Sequence, residues 1–496
     1  MANTLPHFLK KRAFLTPDRA AISYGPETLT FGELYRRSMA VAEQMAVIGI
    51  RNGSYTGILV RNSLDTAVLL FALQLCGAPA VMLNNRLSTT ELSFQLKDAQ
   101  AGFLVYDEAF KEKAESSATG LPSTKCVSLE ELRATERGEI IVPDEVPLES
   151  VCTVMYTSGT TGSPKGVLQT YGNHFWSASG SALNLGLSTE DTWLCTVPLF
   201  HISGYSILMR CIIYGMHIII HSHFDEEKVI EEIQSKQVTI MSVVGTTLSR
   251  VLEMLGEKRL PETFRCMLLG GGPAPLPLLE ACREKGIPVY QTYGMTETAS
   301  QSVTLSPEYS LTKLGSAGKP LFPVSMKIQM PDGTDASIGE AGEILLKGPN
   351  VTPGYLNRPE ETAEKIIDGW LHTGDIGRLD EDGFLYVLDR RSDLIISGGE
   401  NIYPAEIESV LLSHPGVRDV GVAGMPDSKW GQAPAAFIVP KGLNAPSVEE
   451  LRLFCVERLA KYKVPRNFYF TSELPRNASN KLMRRKLPEL IGEMDQ

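Results

Sequence analysis

The sequence predicts an α/β protein with a large N-terminal domain of layered sheets and helices and a small α+β C-terminal domain. Three observations predict it. Strand-like apolar runs alternate with helical periodicity through the first part of the chain, the pattern of a largely parallel sheet. The 496 residues exceed one ordinary domain. Beyond Arg390 a second, shorter α/β pattern carries apolar faces of its own. The expected division is therefore 1–390 and 391–496.

The elements follow in order. Thr30-x-x-Glu33 fits a capping box, and Leu34, Ser38, Val41, Ala42 and Met45 keep helical spacing behind it. Gly57–Val60 reads as a strand. The apolar stretch Ala67–Leu83 is short for a membrane span and is interrupted by Gln74, Gly77 and Pro79, so it reads as a buried helix turning into a strand. Ser88-x-x-Glu91 opens another helix and Phe103–Tyr106 another strand. Later, Cys266–Leu269 is a strand running into GGGPAP, followed by a helix around Pro277–Glu284 and a strand at Pro288–Gln291 running into TYGMTE. Two loops thus leave the carboxyl ends of neighbouring strands, the edge where open α/β sheets bind ligands. In the C-terminal part, Pro404 starts a helix with Ile407, Val410 and Leu411 on one face. Val420 and Val422 alternate as in a strand, and Ser447-x-x-Glu450 caps a helix carrying Leu451, Phe454, Cys455 and Leu459.

A formal net charge of −11 argues against an extended nucleic-acid surface. Arg484, Arg485 and Lys486 read as a solvated helix face. Eight cysteines lie scattered without a CxxC pair, and the N-terminus has no signal-peptide core, so a reducing cytoplasm fits. His221 and His223 form HxH on an expected strand, but no third ligand is apparent and a zinc site is rejected.

The strongest local signal is YTSGTTGSPKG, residues 156–166. Glycines permit tight bends and close approach. Exposed N–H groups, hydroxyls and an ammonium suit polyphosphate. It is not a Walker loop, because Lys165 follows Pro164 and precedes Gly166.

Six segments in order resemble the adenylate-forming superfamily of acyl-CoA synthetases, luciferases and nonribosomal-peptide adenylation domains. They are YTSGTTGSPKG, PLFHISG (Pro198–Gly204), QTYGMTE (Gln291–Glu297), HTGD (His372–Asp375), DRRSDLIISGGENIYPAEIE and LPRNASNK (Leu474–Lys481). Further stretches, among them GNHFWSASGSALNLGL and LLGGGPAPLPLLEACREKG, resemble a branch of the CoA ligases that takes an aromatic dicarboxylic acid.

The resemblance implies an ATP-dependent acid–thiol ligase using Mg²⁺, with ATP, CoA and a carboxylic acid as small-molecule substrates. An acyl-adenylate forms first and the CoA thiol then takes the acyl group. Joining two anions requires charge neutralisation and alignment. By resemblance, Thr157, Ser158, Gly159, Thr160, Thr161, Gly162 and Lys165 wrap the phosphates. Thr296 contacts the α-phosphate and Glu297 holds Mg²⁺, a hard ion suited to one carboxylate plus phosphate oxygens. Tyr293 stacks on adenine beside Gly294 and the backbone of Gly272 and Pro273. Asp375 accepts from the ribose hydroxyls, and Arg390 reaches the nucleotide. Lys481 enters from a mobile C-terminal domain to bridge the carboxylate and the α-phosphate. Ser392 stands where the family's hinge has aspartate or lysine, which leaves open which residue pivots. Ser397, Gly398 and Gly399 let pantetheine pass close to backbone in the second step. His201 lines the acid pocket and positions rather than reacts.

A second substrate carboxylate needs polar donors, for which Thr246, Thr247, Ser300, Gln301 and Ser302 are the candidates. Competing readings are a medium-chain fatty or aryl acid–CoA ligase and, in a different class, a non-catalytic nucleotide-binding protein. The second should lack Lys481, Glu297 or the phosphate loop, and all are present.

Overall fold

The computed structural model describes residues 3–157, 164–235, 238–272, 274–390, 393–397, 400–427, 431–442, 445–459, 461–477 and 481–494. Helix starts follow capping chemistry. Thr30, Ser88 and Ser447 each accept a backbone N–H three residues on, and Glu33, Glu91 and Glu450 reach back to the cap N–H. These boxes open helices Phe31–Ile48, Thr89–Asp98 and Val448–Val456.

A nine-stranded sheet has a parallel interior, in the order Val289–Met295, Cys266–Gly270, Ile240–Val244, Thr192–Cys195, His217–Ile220, Ala20–Tyr24, with antiparallel strands at both edges. A six-stranded sheet contains the parallel strands Ala80–Met82, Thr56–Leu59 and Phe103–Tyr106 and ends in the antiparallel hairpin of Val151–Thr157 and Lys165–Thr170. Helix Leu64–Cys76 buries every residue but Asp65. One core cluster joins Ile22, Trp193 and Ile218 of the first sheet to Ile58, Met82 and Met155 of the second. Burial of this shared apolar surface, at about 25 cal/mol per Å², holds the two sheets together.

A five-stranded antiparallel sheet contains Ser325–Gln329, Gly342–Lys347, Trp370–Leu379 and Leu385–Arg390. Sheet membership then changes. Ile395–Ser397 belongs to another five-stranded sheet, with Val417–Asp427, Gly431–Pro440 and Asn467–Phe470. Ile407, Leu411, Val420, Val422, Leu451 and Cys455 form a core there. Among the described residues no helix is long and apolar enough to cross a membrane.

Three expectations need correction. The strand at Val289 does not stop before TYGMTE. It runs to Met295 and pairs antiparallel with Ser300–Leu305. Gly294 permits this, since a Cβ there would fall 1.9 Å from the Ser300 carbonyl oxygen. The HxH pair is not on a strand, because that strand ends at Ile220. His221 lies 3.7 Å from Glu232, and His223 Nδ1 lies 2.9 Å from the Ser222 hydroxyl. Arg484 is not on a solvated helix face. It sits in a 3₁₀ turn and pairs with Glu408 at 2.7 Å and Asp393 at 3.1 Å, leaving Arg485 and Lys486 exposed.

Candidate active site

Three neighbouring parallel strands carry candidate residues at their carboxyl ends. Ile240–Val244 leads into helix Gly245–Leu255, whose first turn holds Thr246 and Thr247. Cys266–Gly270 leads into Gly271, at φ +92°, and Gly272, where a Cβ would meet nothing within 4 Å. The Gly272 backbone therefore borders open space, as a nucleotide contact requires. Pro273 lies outside the described residues. The third strand is Val289–Met295, which ends in the 3₁₀ turn Thr296–Thr298.

That turn is held from several elements. Gln169 Nε2 donates to the Thr296 carbonyl at 2.8 Å, Thr352 N to the Glu297 carbonyl at 2.7 Å, Asn350 Nδ2 to the Thr298 carbonyl at 3.1 Å and Ser177 Oγ to the Ala299 carbonyl at 2.6 Å. Ala299 and Ser300 follow at φ +51° and +103°. Non-glycine residues hold such angles only where their surroundings over-determine them, and these cluster at functional sites. The Glu297 carboxylate accepts a 3.2 Å bond from Tyr355 Oη. Burial, with the Glu297 charge second, raises the Tyr355 pKa, so the phenol stays a donor. Among the described residues no group of three or more His, Cys, Asp or Glu forms a metal cage. A half-buried carboxylate oxygen braced by a phenol fits Mg²⁺ held mainly by phosphate oxygens and water.

Tyr293 Oη donates to Asp375 Oδ2 at 2.7 Å, fixing the expected adenine-stacking ring beside the expected ribose acceptor. Asp375 is buried, and its backbone pairs with Arg390 across the sheet. The turn before Asp375 hangs on Glu343, which accepts from Gly374 N at 2.9 Å and lies 3.2 Å from His372 Nδ1. Thr157 and Lys165 are cross-strand partners at the mouth of the phosphate hairpin. Ser158, Gly159, Thr160, Thr161 and Gly162 lie outside the described residues, as do Ser392, Gly398 and Gly399. Ser397 is buried at the end of its strand, opposite Glu400 and Gly431.

On the acid side, His201 is the N-cap of helix Ile202–Arg210, with its ring 4.6 Å from that of Phe200. Burial first, then the positive charges of Lys481 and Arg86, lower its pKa to about 4. A neutral imidazole suits a positioning role. The Lys481 charge thus acts on His201 from the far end of the chain. A turn presents it, with Lys481 N donating to Asn477 Oδ1 at 2.9 Å and Asn477 N to the Lys481 carbonyl at 2.8 Å.

Sequence reasoning missed Arg210. Its side chain is 1% exposed and packs 5.0 Å from the Trp193 ring. Nη2 lies 3.5 Å from Ser300 Oγ, Ser206 Oγ lies 3.4 Å from the same hydroxyl, and Nε has no hydrogen-bond partner. Among the described residues no carboxylate lies within ion-pair reach of it. The available signal was one cation inside the apolar run GYSILMRCIIYG. Of the predicted pocket residues, Ser300 meets this arginine. Gln301 is buried with both amide atoms unpartnered, and Ser302 is fully buried 3.4 Å from Asn350 Nδ2.

The chain belongs to the AMP-binding enzyme family, whose model matches residues 9–356, and the model of the AMP-binding enzyme C-terminal domain matches residues 406–481. It is 56% identical over 493 residues, 99% of both chains, to a 2-succinylbenzoate–CoA ligase of Geobacillus kaustophilus. It is similar to o-succinylbenzoate CoA synthetase of Bacillus subtilis in complex with the acyl-adenylate intermediate, at 51% identity, 98% coverage of both chains and a TM-score of 0.93. Against a double mutant of the Bacillus subtilis synthetase bound with its product analogue, identity and coverage are the same but the TM-score is 0.76.

Proposed function

We propose that this protein is an o-succinylbenzoate–CoA ligase, converting the acid, ATP and CoA to the acyl-CoA, AMP and pyrophosphate in menaquinone biosynthesis. The observation that carries this reading is Arg210, a buried guanidinium without a carboxylate partner among the described residues beside Ser300. Its polar neighbours, Ser300 and Tyr214, are neutral, so its charge has no counter-ion among the described residues, and a ligand of opposite charge would offset a burial cost of several kcal/mol. A substrate with a second, non-reacting carboxylate supplies that ligand. A fatty acid does not.

The remaining residues divide the chemistry between them. The proposed division is 1–390 for ATP and acid binding and 391–496 for a mobile lid, pivoting near Ser392. The Tyr293–Asp375 pair and the Gly272 and Gly294 backbone hold adenosine. Thr157 through Gly162 with Lys165 hold the β- and γ-phosphates, and Thr296 the α-phosphate. Magnesium, when bound at Glu297, offsets phosphate charge. His201 stays neutral and orients the succinyl carboxylate. Lys481 brings the compact cation that lets this carboxylate approach the α-phosphorus. The carboxylate oxygen bonds to phosphorus as the bridging oxygen leaves with pyrophosphate. In the second step the CoA thiol, its pantetheine arm passing along the Ser397–Gly399 backbone, adds to the acyl carbon, loses its proton and expels AMP. A cytoplasmic location suits these substrates.

Pyrophosphate release with ATP and Mg²⁺ across o-succinylbenzoate, benzoate, hexanoate and palmitate tests the reading. A strong preference for o-succinylbenzoate, with thioester formed, supports it. Preferred turnover of a fatty or simple aryl acid contradicts the acid assignment while leaving the ligase chemistry.

A further inference from the structure

Lys165 is a half-buried cation whose expected ligand is polyphosphate. Its side chain is 12% exposed, and its ammonium sits 5.6 Å above the Tyr355 ring and 2.8 Å from Glu361 Oε2. That Glu361 oxygen is shielded from solvent and makes no aligned hydrogen bond, so charge alone joins the two groups. Glu361 lies in the first turn of helix Pro359–Lys365. The turn docks on the segment that braces the metal candidate. Tyr355 N donates to Thr362 Oγ1 at 3.0 Å, and Tyr355 Oη donates to Glu297. Arg358, one helical turn before Glu361, is 4.0 Å away and engages Asp98 at 2.7 Å.

We infer that Glu361 is a positioning residue that occupies Lys165 between turnovers and competes with polyphosphate for its ammonium. The inference rests on the ATP-binding reading above. A shielded ammonium without a counter-charge is costly, so Glu361 stabilises the resting site. ATP brings several negative charges and displaces it. Once the α–β bond has broken, pyrophosphate lies beside a displaced carboxylate. Like-charge repulsion and the re-forming Lys165–Glu361 pair both favour its departure. Glu361 therefore weakens the binding of both polyphosphates, and it leaves AMP, which lacks the β- and γ-phosphates, untouched.

The test compares the full-length wild type with Glu361→Gln and with Glu360→Gln, the exposed neighbour that removes the same charge. The readouts are binding of a non-hydrolysable ATP analogue, pyrophosphate and AMP by calorimetry, and inhibition of turnover by pyrophosphate. Glu361→Gln should bind pyrophosphate and the ATP analogue about threefold to tenfold more tightly, with stronger pyrophosphate inhibition and unchanged AMP affinity. Glu360→Gln should resemble wild type. Unchanged or weaker polyphosphate binding in Glu361→Gln, or the same gain in Glu360→Gln, overturns the inference alone. A wild type that binds neither nucleotide nor pyrophosphate overturns the ATP reading with it.

Discussion

Tyr293 and Asp375, 82 residues apart, are joined by a 2.7 Å hydrogen bond in which the phenol donates to a buried carboxylate. The bond ties the strand beneath the candidate metal turn to the antiparallel sheet that leads into the C-terminal part. It also fixes the orientation of the Asp375 carboxylate, the proposed ribose acceptor. Tyr293→Phe keeps the ring and removes the tether. ATP affinity should fall about tenfold to a hundredfold, the worth of one hydrogen bond to a charged group, with a smaller change in kcat. Titration of the variant with ATP checks this.

Arg210→Met should stabilise the ligand-free protein, because it replaces an unpaired buried charge by an apolar side chain of similar length. The same change should raise KM for o-succinylbenzoate by about a hundredfold, the 2–5 kcal/mol typical of a buried charge pair losing one member. Benzoylpropionate, which lacks the ring carboxylate, should become the relatively better substrate. A thermal melt and the two KM values together separate substrate recognition from structural support.

Tyr355→Phe leaves the Glu297 carboxylate without the donor 3.2 Å away. The Mg²⁺ concentration giving half-maximal rate should rise several-fold, while KM for the acid stays near wild type. Rates measured against Mg²⁺ at fixed ATP test it.

His7, His174 and His201 set an acid limit to stability. Burial lowers the pKa of His7 and His201 to about 4 and that of His174 to about 3. The unfolded chain takes up these protons near pH 6.5, while the folded chain does not. Their contribution is therefore fully present above about pH 6.5 and is lost as pH falls toward 4 and then 3. Each unit of depression is worth about 1.4 kcal/mol. Denaturant midpoints between pH 8 and pH 4 should decline, and His174→Gln should flatten the slope.

Much of this was legible in the residue order because it is local. The capping pairs at Thr30, Ser88 and Ser447 announce helices through bonds spanning three residues. The strand–glycine transition at Gly270–Gly272 announces the ligand edge of a sheet. What escaped depends on distant partners. Nothing near Met295 says that its strand will return at Ser300; the approach is visible only once Gly294 meets the Ser300 carbonyl. Arg484 looks solvent-exposed until Glu408 folds against it. Arg210 looks like a stray charge on an apolar helix until the fold removes every carboxylate from its reach among the described residues. Tyr355 and Glu361 gain meaning from Glu297 and Lys165, which arrive from a distant 3₁₀ turn and a distant strand.

The central claim is that Lys481 serves the first half-reaction, brought to the acid by the C-terminal part of the chain. Lys481→Ala, assayed separately for the two half-reactions, tests it most directly. Adenylate formation from o-succinylbenzoate and ATP should fall by several orders of magnitude, while thioester formation from preformed adenylate and CoA stays close to wild type. Adenylation at near wild-type rate, or equal loss of both half-reactions, would contradict the account.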